Sequence, residues 1–258
     1  MIVHPIPHGW QMIDQRAHAL LASQIATAWH PDARPAAANA RWIETVIAIS
    51  RHDDGGHGFG GHNHIGDAGT PLDLAGAPLS LDQPVRVMEE ARGAGLWTGV
   101  LISMHVLRLY SAFRAEPGFA QFLDEQTERQ KAWLRQLNVK KADADAAYGL
   151  LHFCDSLSLI LCRRDLPTDG RAIEIATLPD GTRYDVRQVV GKKGGDPRAT
   201  DSDAPTPITV EPSPFGKGIM PLYVEAAELP SLTFKDDADL DAQLDTCPRA
   251  TLRWDLQG

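Results

Sequence analysis

The chain has 258 residues, of which 43% are hydrophobic and 23% are charged, as expected for a globular protein with a buried core. Its net charge of −9 excludes nucleic acid as a bulk partner, because a phosphate backbone is bound through a surplus of Lys and Arg. Three cysteines at no metal-type spacing argue against a disulfide framework. We find no signal peptide and no apolar run near the ~20 residues that cross a bilayer, so we expect a cytoplasmic protein without a membrane partner.

The first part of the chain predicts two helices that carry histidines. After an extended lead-in, a helix from about residue 14 to 29 has apolar residues at steps of three and four, which place His18 on its buried face. A second helix, from about residue 38 to 51, delivers His52 and Asp53 at its C-terminal end. Both members of this pair follow Ile49 by three or four residues, so they also lean toward the core.

A loop rich in glycine and histidine comes next, at residues 54–70. It contains His57, His62 and His64, which either are solvated or close a second metal site. Further helices are predicted near residue 84 and, approximately, at residues 94–111, 115–137 and 142–162.

Two of these later helices contain polar residues at buried positions. His105 continues a ladder of apolar residues spaced by four, which turns it inward. Asp155 is the one carboxylate in the run 150–161, which is apolar nearly all round. His152, three residues earlier, is interpreted as a core residue or as support for a ligand.

The pattern changes after residue 164. Strands are predicted at residues 172–177, 183–190, 207–210, 221–224 and 251–254, separated by clusters of Pro, Gly and Asp. The run Asp236-Asp237 reads as a solvated face. We therefore predict two domains, a helical metal-binding domain at 1–165 and a β-rich appendage at 166–258.

The buried carboxylate is the strongest chemical signal. An unpaired carboxylate in a protein core lowers the stability of the fold by roughly several kcal/mol unless a cation neutralises it. A divalent metal shared by His18, His52, Asp53 and Asp155 would meet this need. His105 either ligates this ion or a second one, or hydrogen-bonds a substrate. The alternative is a buried ion pair between Asp155 and an arginine, with Arg41, Arg51 and Arg108 as candidates.

This order of ligands, with each residue on a helix, resembles the HD superfamily of metal-dependent phosphohydrolases. In that superfamily a first His, an adjacent His-Asp pair and a late helical Asp hold the metal, and His18, His52, Asp53 and Asp155 stand at the matching positions. The resemblance implies a mainly α protein, an HD-domain-like helical bundle with a small C-terminal β-rich subdomain, α+β overall.

A closer resemblance extends over almost the whole chain and is to bacterial domain-of-unknown-function family 3891. That family has no established activity, so the resemblance implies only fold and site. Two departures are Gly56, where the family often has Trp, and the abundance of histidine in the loop after it. The segments that resemble the family are residues 1–3, 15–19, 52–55, 101–105, 110, 155–159, 214–215, 236–237 and 252–253.

Three functions remain open. The first is a metal-dependent hydrolase for a small phosphorylated substrate. In it either Asp53 orients the attacking water or Asp54 acts as its base, and Arg51, Arg108 or Lys140 offsets phosphate charge. The second is an HD-type di-iron oxygenase that cleaves a C–C or C–P bond, for which two further histidines are needed. The third is a non-enzymatic metal- or ligand-binding protein. The expected cofactor is one or two divalent ions of Fe, Mn, Ni, Co or Zn, the expected partner is a small-molecule substrate, and a homodimer is left open.

Overall fold

The computed structural model describes residues 1–53, 65–73, 76, 78–189 and 204–258. The helices in these ranges are α1 (Gln15–Ala28), α2 (Ala36–Ala40), α3 (Trp42–Arg51), α4 (Asp82–Gly93), α5 (Leu96–Tyr110), α6 (Phe119–Leu137), α7 (Lys141–Cys162) and α8 (Asp237–Thr246). The strands are β1 (Ile2–Ile6), β2 (Gly9–Ile13), β3 (Ala172–Thr177), β4 (Arg183–Gln188), β5 (Thr206–Glu211), β6 (Ile219–Leu229) and β7 (Arg249–Gln257).

The seven strands form one curled, mixed sheet in the order β1-β2-β6-β7-β5-β4-β3. Neighbouring strands are antiparallel except β5 and β7, which are parallel. The pairing of Trp10 with Leu229 joins the N-terminal hairpin to the C-terminal strands. The sheet therefore spans both ends of the sequence.

This sheet shows that the predicted fold class is wrong. The protein is not a mainly helical, HD-like bundle with a small β-rich subdomain, because the helices share the fold with a seven-stranded sheet. The sequence reading took the first residues as an extended lead-in because of their prolines. Pro5 lies in β1 at the edge of the sheet, where a residue that donates no backbone hydrogen bond is tolerated.

The helices that carry the predicted ligands pack against one another. Helix α1 contacts α3 and α7, and α5 contacts both α3 and α7, while α4 and α6 pack on α5. Helix α1 also packs on β6, and α7 packs on β3, so one core is shared by helices and sheet. In this core the ring of Trp29 contacts Phe153 on α7 and Phe215 near β6, with centroid distances of 4.7 and 5.7 Å.

Close packing of α7 on the β3–β4 hairpin depends on Gly149. A Cβ atom at this position would lie 2.8 Å from the Cδ atom of Pro179 in the hairpin turn. Glycine is therefore the residue that lets the turn approach the helix.

The individual helices and strands agree better with the predictions from the sequence than the overall architecture does. The five predicted strands and the long helices are confirmed, with shifted ends. Helix α8 was missed, because Asp236-Asp237 was read as a solvated face. The side chain of Asp236 accepts a hydrogen bond from the Asp239 backbone N–H and caps this helix. Strands β1 and β2 lie within the predicted domain 1–165, and the division at residue 165 stays a prediction.

Within the described part of the chain, one stretch, Leu96–Phe113, is long and apolar enough to cross a membrane by length and composition. Buried core helices have the same properties. The helix in this stretch, α5, packs against α3, α4, α6 and α7.

Candidate metal centre

The five predicted metal ligands come together where α1, α3, α5 and α7 meet. His18 lies on α1, His52 and Asp53 follow α3, His105 lies on α5 and Asp155 on α7. All are buried except Asp53, which is partly exposed. Their candidate ligand atoms form two groups, each within 4.8 Å, and the groups share His52: His18, His52 and Asp155 in one, and His52, Asp53 and His105 in the other.

The distances between these atoms suit one ion. The Nε2 atom of His18 lies 2.8 Å from Oδ2 of Asp53. The Nε2 atom of His52 lies 3.2 Å from Oδ1 of Asp155 and 3.7 Å from Oδ2 of Asp53. Around an ion with bonds of about 2.1 Å, neighbouring ligand atoms lie roughly 3 to 4 Å apart. The cluster therefore has the size of a single coordination sphere.

The other nitrogen of two histidines is held by a hydrogen-bond acceptor. His52 Nδ1 lies 2.7 Å from the carbonyl oxygen of Ile49, so this nitrogen carries the proton and donates it. His18 Nδ1 lies 3.0 Å from Oγ of Ser158, whose hydroxyl donates its single proton to the carbonyl oxygen of Asp155 at 2.8 Å. Ser158 must therefore accept from His18. With the proton of each ring on Nδ1, the Nε2 atoms of His18 and His52 are directed into the cluster, where they can bind a proton or a metal ion.

The third histidine has a weaker outer partner. The Nδ1 atom of His105 lies 3.4 Å from the hydroxyl of Tyr148 on α7. The rings of His105 and His52 meet edge to face, with centroids 4.8 Å apart. His105 thus lies next to the group formed by His52, Asp53 and Asp155.

The electrostatics show that this cluster attracts positive charge. Burial lowers the pKa of His52, but the carboxylates of Asp53 and Asp155 outweigh it and raise that pKa to about 9. Burial favours the neutral form of Asp155, yet His52 brings the pKa of this carboxyl to about 2. The imidazoles of His52 and His18 hold the pKa of Asp53 well below its usual range despite its burial. Burial, and then the charge of His52, lower the pKa of His105 to about 4.

These residues fit a divalent transition metal. Imidazole nitrogens and carboxylate oxygens in one small site suit Fe, Mn, Co, Ni or Zn better than Mg or Ca. Two imidazole lone pairs directed at carboxylate oxygens also require a cation between them, either protons or a metal. The roles of His18, His52, Asp53, His105 and Asp155 as ligands stay predictions.

The other predicted site residues are Arg108, Asp54 and three histidines of the loop after Asp54. Asp54 and the histidines His57, His62 and His64 lie outside the described residues. Arg108 is exposed on α5, one turn after His105.

Two predictions made from the sequence concern the partner of Asp155 and the role of His152. The alternative ion pair with Arg41 is not formed, since Arg41 lies 3.4 Å from Glu44, and the carboxylate of Asp155 contacts His52. His152 bonds through Nδ1 to Ser156 at 3.2 Å and belongs to neither group of candidate ligands.

Sequence reasoning missed Ser158 and Tyr148. Ser158 is fully buried and lies three residues after Asp155, so it is on the same side of α7. Tyr148 precedes Asp155 by seven residues, which is two helical turns. A polar residue at helical spacing from a buried carboxylate was the available signal in both cases.

Comparison with known proteins gives the family. No curated protein and no solved structure matches the chain. The resemblance to the HD superfamily is not confirmed by these comparisons. One family model, described as "Protein of unknown function (DUF3891)", matches residues 1–231. Because this match covers most of the sequence, the chain belongs to the DUF3891 family.

Proposed function

We propose that this protein is a metal-dependent hydrolase that acts on a small phosphorylated substrate. The proposal assigns the metal to His18, His52, Asp53 and Asp155, with His105 as a fifth ligand. One observation carries it: the Nε2 atoms of His18 and His52 face carboxylate oxygens at 2.8 and 3.2 Å, while hydrogen-bond partners at Nδ1 orient both rings. Histidines that bind metals are oriented by such outer partners.

A divalent ion held by these residues would lower the pKa of a water molecule and polarise a phosphoryl oxygen. The chain itself provides orientation. The side chain of Asp53 is 13% exposed, whereas that of His52 is fully buried, so Asp53 lies on the solvent side of the cluster. Asp53 accepts a hydrogen bond from the attacking water and holds it in line with the phosphate. The role of Asp54 as a base stays a prediction.

The two other functions have less support. A di-iron oxygenase needs a second set of ligands, and in the described ranges the candidate ligands form two groups that share His52. A purely structural or storage site would be closed to solvent, whereas Asp53 is partly exposed. We therefore favour the hydrolase.

The test is activity after controlled metal loading. The protein is stripped with a chelator, reloaded separately with Mn, Fe(II), Co, Ni or Zn, and assayed for phosphate release from phosphomonoesters and nucleotides. At least one metal form should hydrolyse one substrate class. His52→Gln should abolish this activity, while the matched change of exposed His8→Gln should preserve it. Inactivity of every form with proven metal occupancy contradicts the proposal, and two irons with oxygen consumption would favour the oxygenase.

A further inference from the structure

A row of polar side chains continues from the candidate metal centre along the facing sides of α5 and α7. On α5, Arg108 follows His105 by three residues. On α7, Tyr148, His152 and Asp155 are spaced by four and three residues. These spacings keep each set on one side of its helix, and α5 packs against α7.

Contacts connect this row to the centre. The hydroxyl of Tyr148 lies 3.4 Å from Nδ1 of His105. The ring of Tyr148 is nearly parallel to that of His152, with an interplanar angle of 10° and centroids 6.3 Å apart. Ser156 Oγ lies 3.2 Å from Nδ1 of His152. The row is thus an ordered extension of the site.

This row offers hydrogen-bond donors that the fold leaves unused. The side chain of Arg108 is exposed and, among the described residues, has no hydrogen-bond or ion-pair partner, although the protein carries 34 acidic residues. His152 is half-buried, and its Nε2 atom has no partner within the described ranges. Burial lowers the pKa of His152, and the charge of Arg108 lowers it further.

We propose that Arg108, His152 and Tyr148 bind a second anionic group of the substrate whose reacting phosphate lies at the metal centre. This inference rests on the proposed function. A guanidinium and two neutral donors recognise phosphate or carboxylate oxygens. Arg108 and His152 each lie three residues from a candidate ligand, which is about 4.5 Å along a helix axis. The substrate class is therefore a phosphorylated compound with a second phosphate or a carboxylate a few bonds away.

The test compares three non-hydrolysable probes on the full-length, metal-loaded protein by calorimetry. Methylphosphonate carries one anionic group, methylenediphosphonate carries a second phosphonate, and phosphonoacetate carries a carboxylate. We expect at least one of the probes with two anionic groups to bind about 10-fold more tightly than methylphosphonate. A gain of this size is what charge-assisted hydrogen bonds to the second group contribute. Which of the two binds better identifies the second group.

Arg108→Gln should remove this preference without changing the metal content, and His152→Gln should weaken it. Arg135→Gln is the matched control, because Arg135 is exposed near the end of α6 and lies far along the sequence from the row. Equal binding of all three probes to the wild type overturns the inference, as does an unchanged preference in Arg108→Gln. Failure of the proposed function is distinguishable, because it appears as absence of phosphate release from every metal-loaded form while the Arg108-dependent preference of the metal-loaded protein persists.

Discussion

The Nε2 atom of His18 lies 2.8 Å from the Oδ2 atom of Asp53. With the proton of this ring on Nδ1, bonded to Ser158, the Nε2 lone pair faces the carboxylate oxygen, and a proton or a metal ion between them would join the two atoms. His52 and Asp155 repeat this relationship at 3.2 Å. This arrangement supports the proposed metal site, and the predictions on metal binding below rest on it.

Replacement of Asp155 by Asn should nearly abolish metal binding. The change keeps the shape of the side chain but removes one of two carboxylate charges. We expect a loss of affinity larger than the roughly 10–100-fold that loss of a supporting hydrogen bond causes. Metal content after desalting, measured by mass spectrometry, tests this. Asp143→Asn, on an exposed position of the same helix, should retain wild-type metal content.

Replacement of Ser158 by Ala should weaken metal binding without abolishing it. The serine accepts from His18 Nδ1 and fixes the ring orientation, so we expect a loss of about 10-fold in affinity. Competition with a chromogenic chelator measures the change. Ser156→Ala is the control, since Ser156 contacts His152 instead of a candidate ligand. Equal affinities of the two variants would show that Ser158 has no orienting role.

Metal binding at pH 7 should release about one proton per ion. The neighbouring carboxylates, acting against burial, raise the pKa of His52 to about 9, so the metal-free ring is protonated at this pH. A metal needs the deprotonated nitrogen and displaces that proton. Calorimetric titrations in buffers of different ionisation enthalpy count the protons released. The number should fall toward zero above pH 9, and independence from the buffer at pH 7 would contradict the prediction.

The metal-free protein should lose stability as the pH falls from 6.5 to 4. Burial and the charge of His52 lower the pKa of His105 from 6.5 to about 4, so between these values the unfolded state binds a proton that the folded state does not. Stability is therefore lost toward acid, by about 3 kcal/mol across the window. Urea denaturation at pH 6.5 and 4 measures this.

His52 and Asp155 contribute little to the loss of stability between pH 6.5 and 4. The pKa of His52 is about 9 in the folded state and that of Asp155 is about 2, so these shifts act above and below it. The variant His105→Gln should show a clearly smaller loss between the two pH values than the wild type. An equal loss in both proteins would rule out His105 as its cause.

The candidate site was predictable because its signals are local. Helical periodicity turned His18 and His105 inward, and the cost of a buried carboxylate singled out Asp155. The sheet was not predictable in the same way. Its pairing of Trp10 with Leu229 joins residues more than two hundred positions apart, and no local pattern records which strands become neighbours.

The sequence by itself determined the long helices, the five later strands and the inward direction of the candidate ligands, because burial and backbone propensity act within a few residues. The tertiary structure decided that the N-terminal strands form one edge of the sheet and that Ser158 and Tyr148 contact the histidines. It also brought Asp53 and Asp155 close to the same His52 ring nitrogen, at 3.7 and 3.2 Å. These relationships arise only when α1, α3, α5 and α7 pack together, since the atoms they join are distant in the chain.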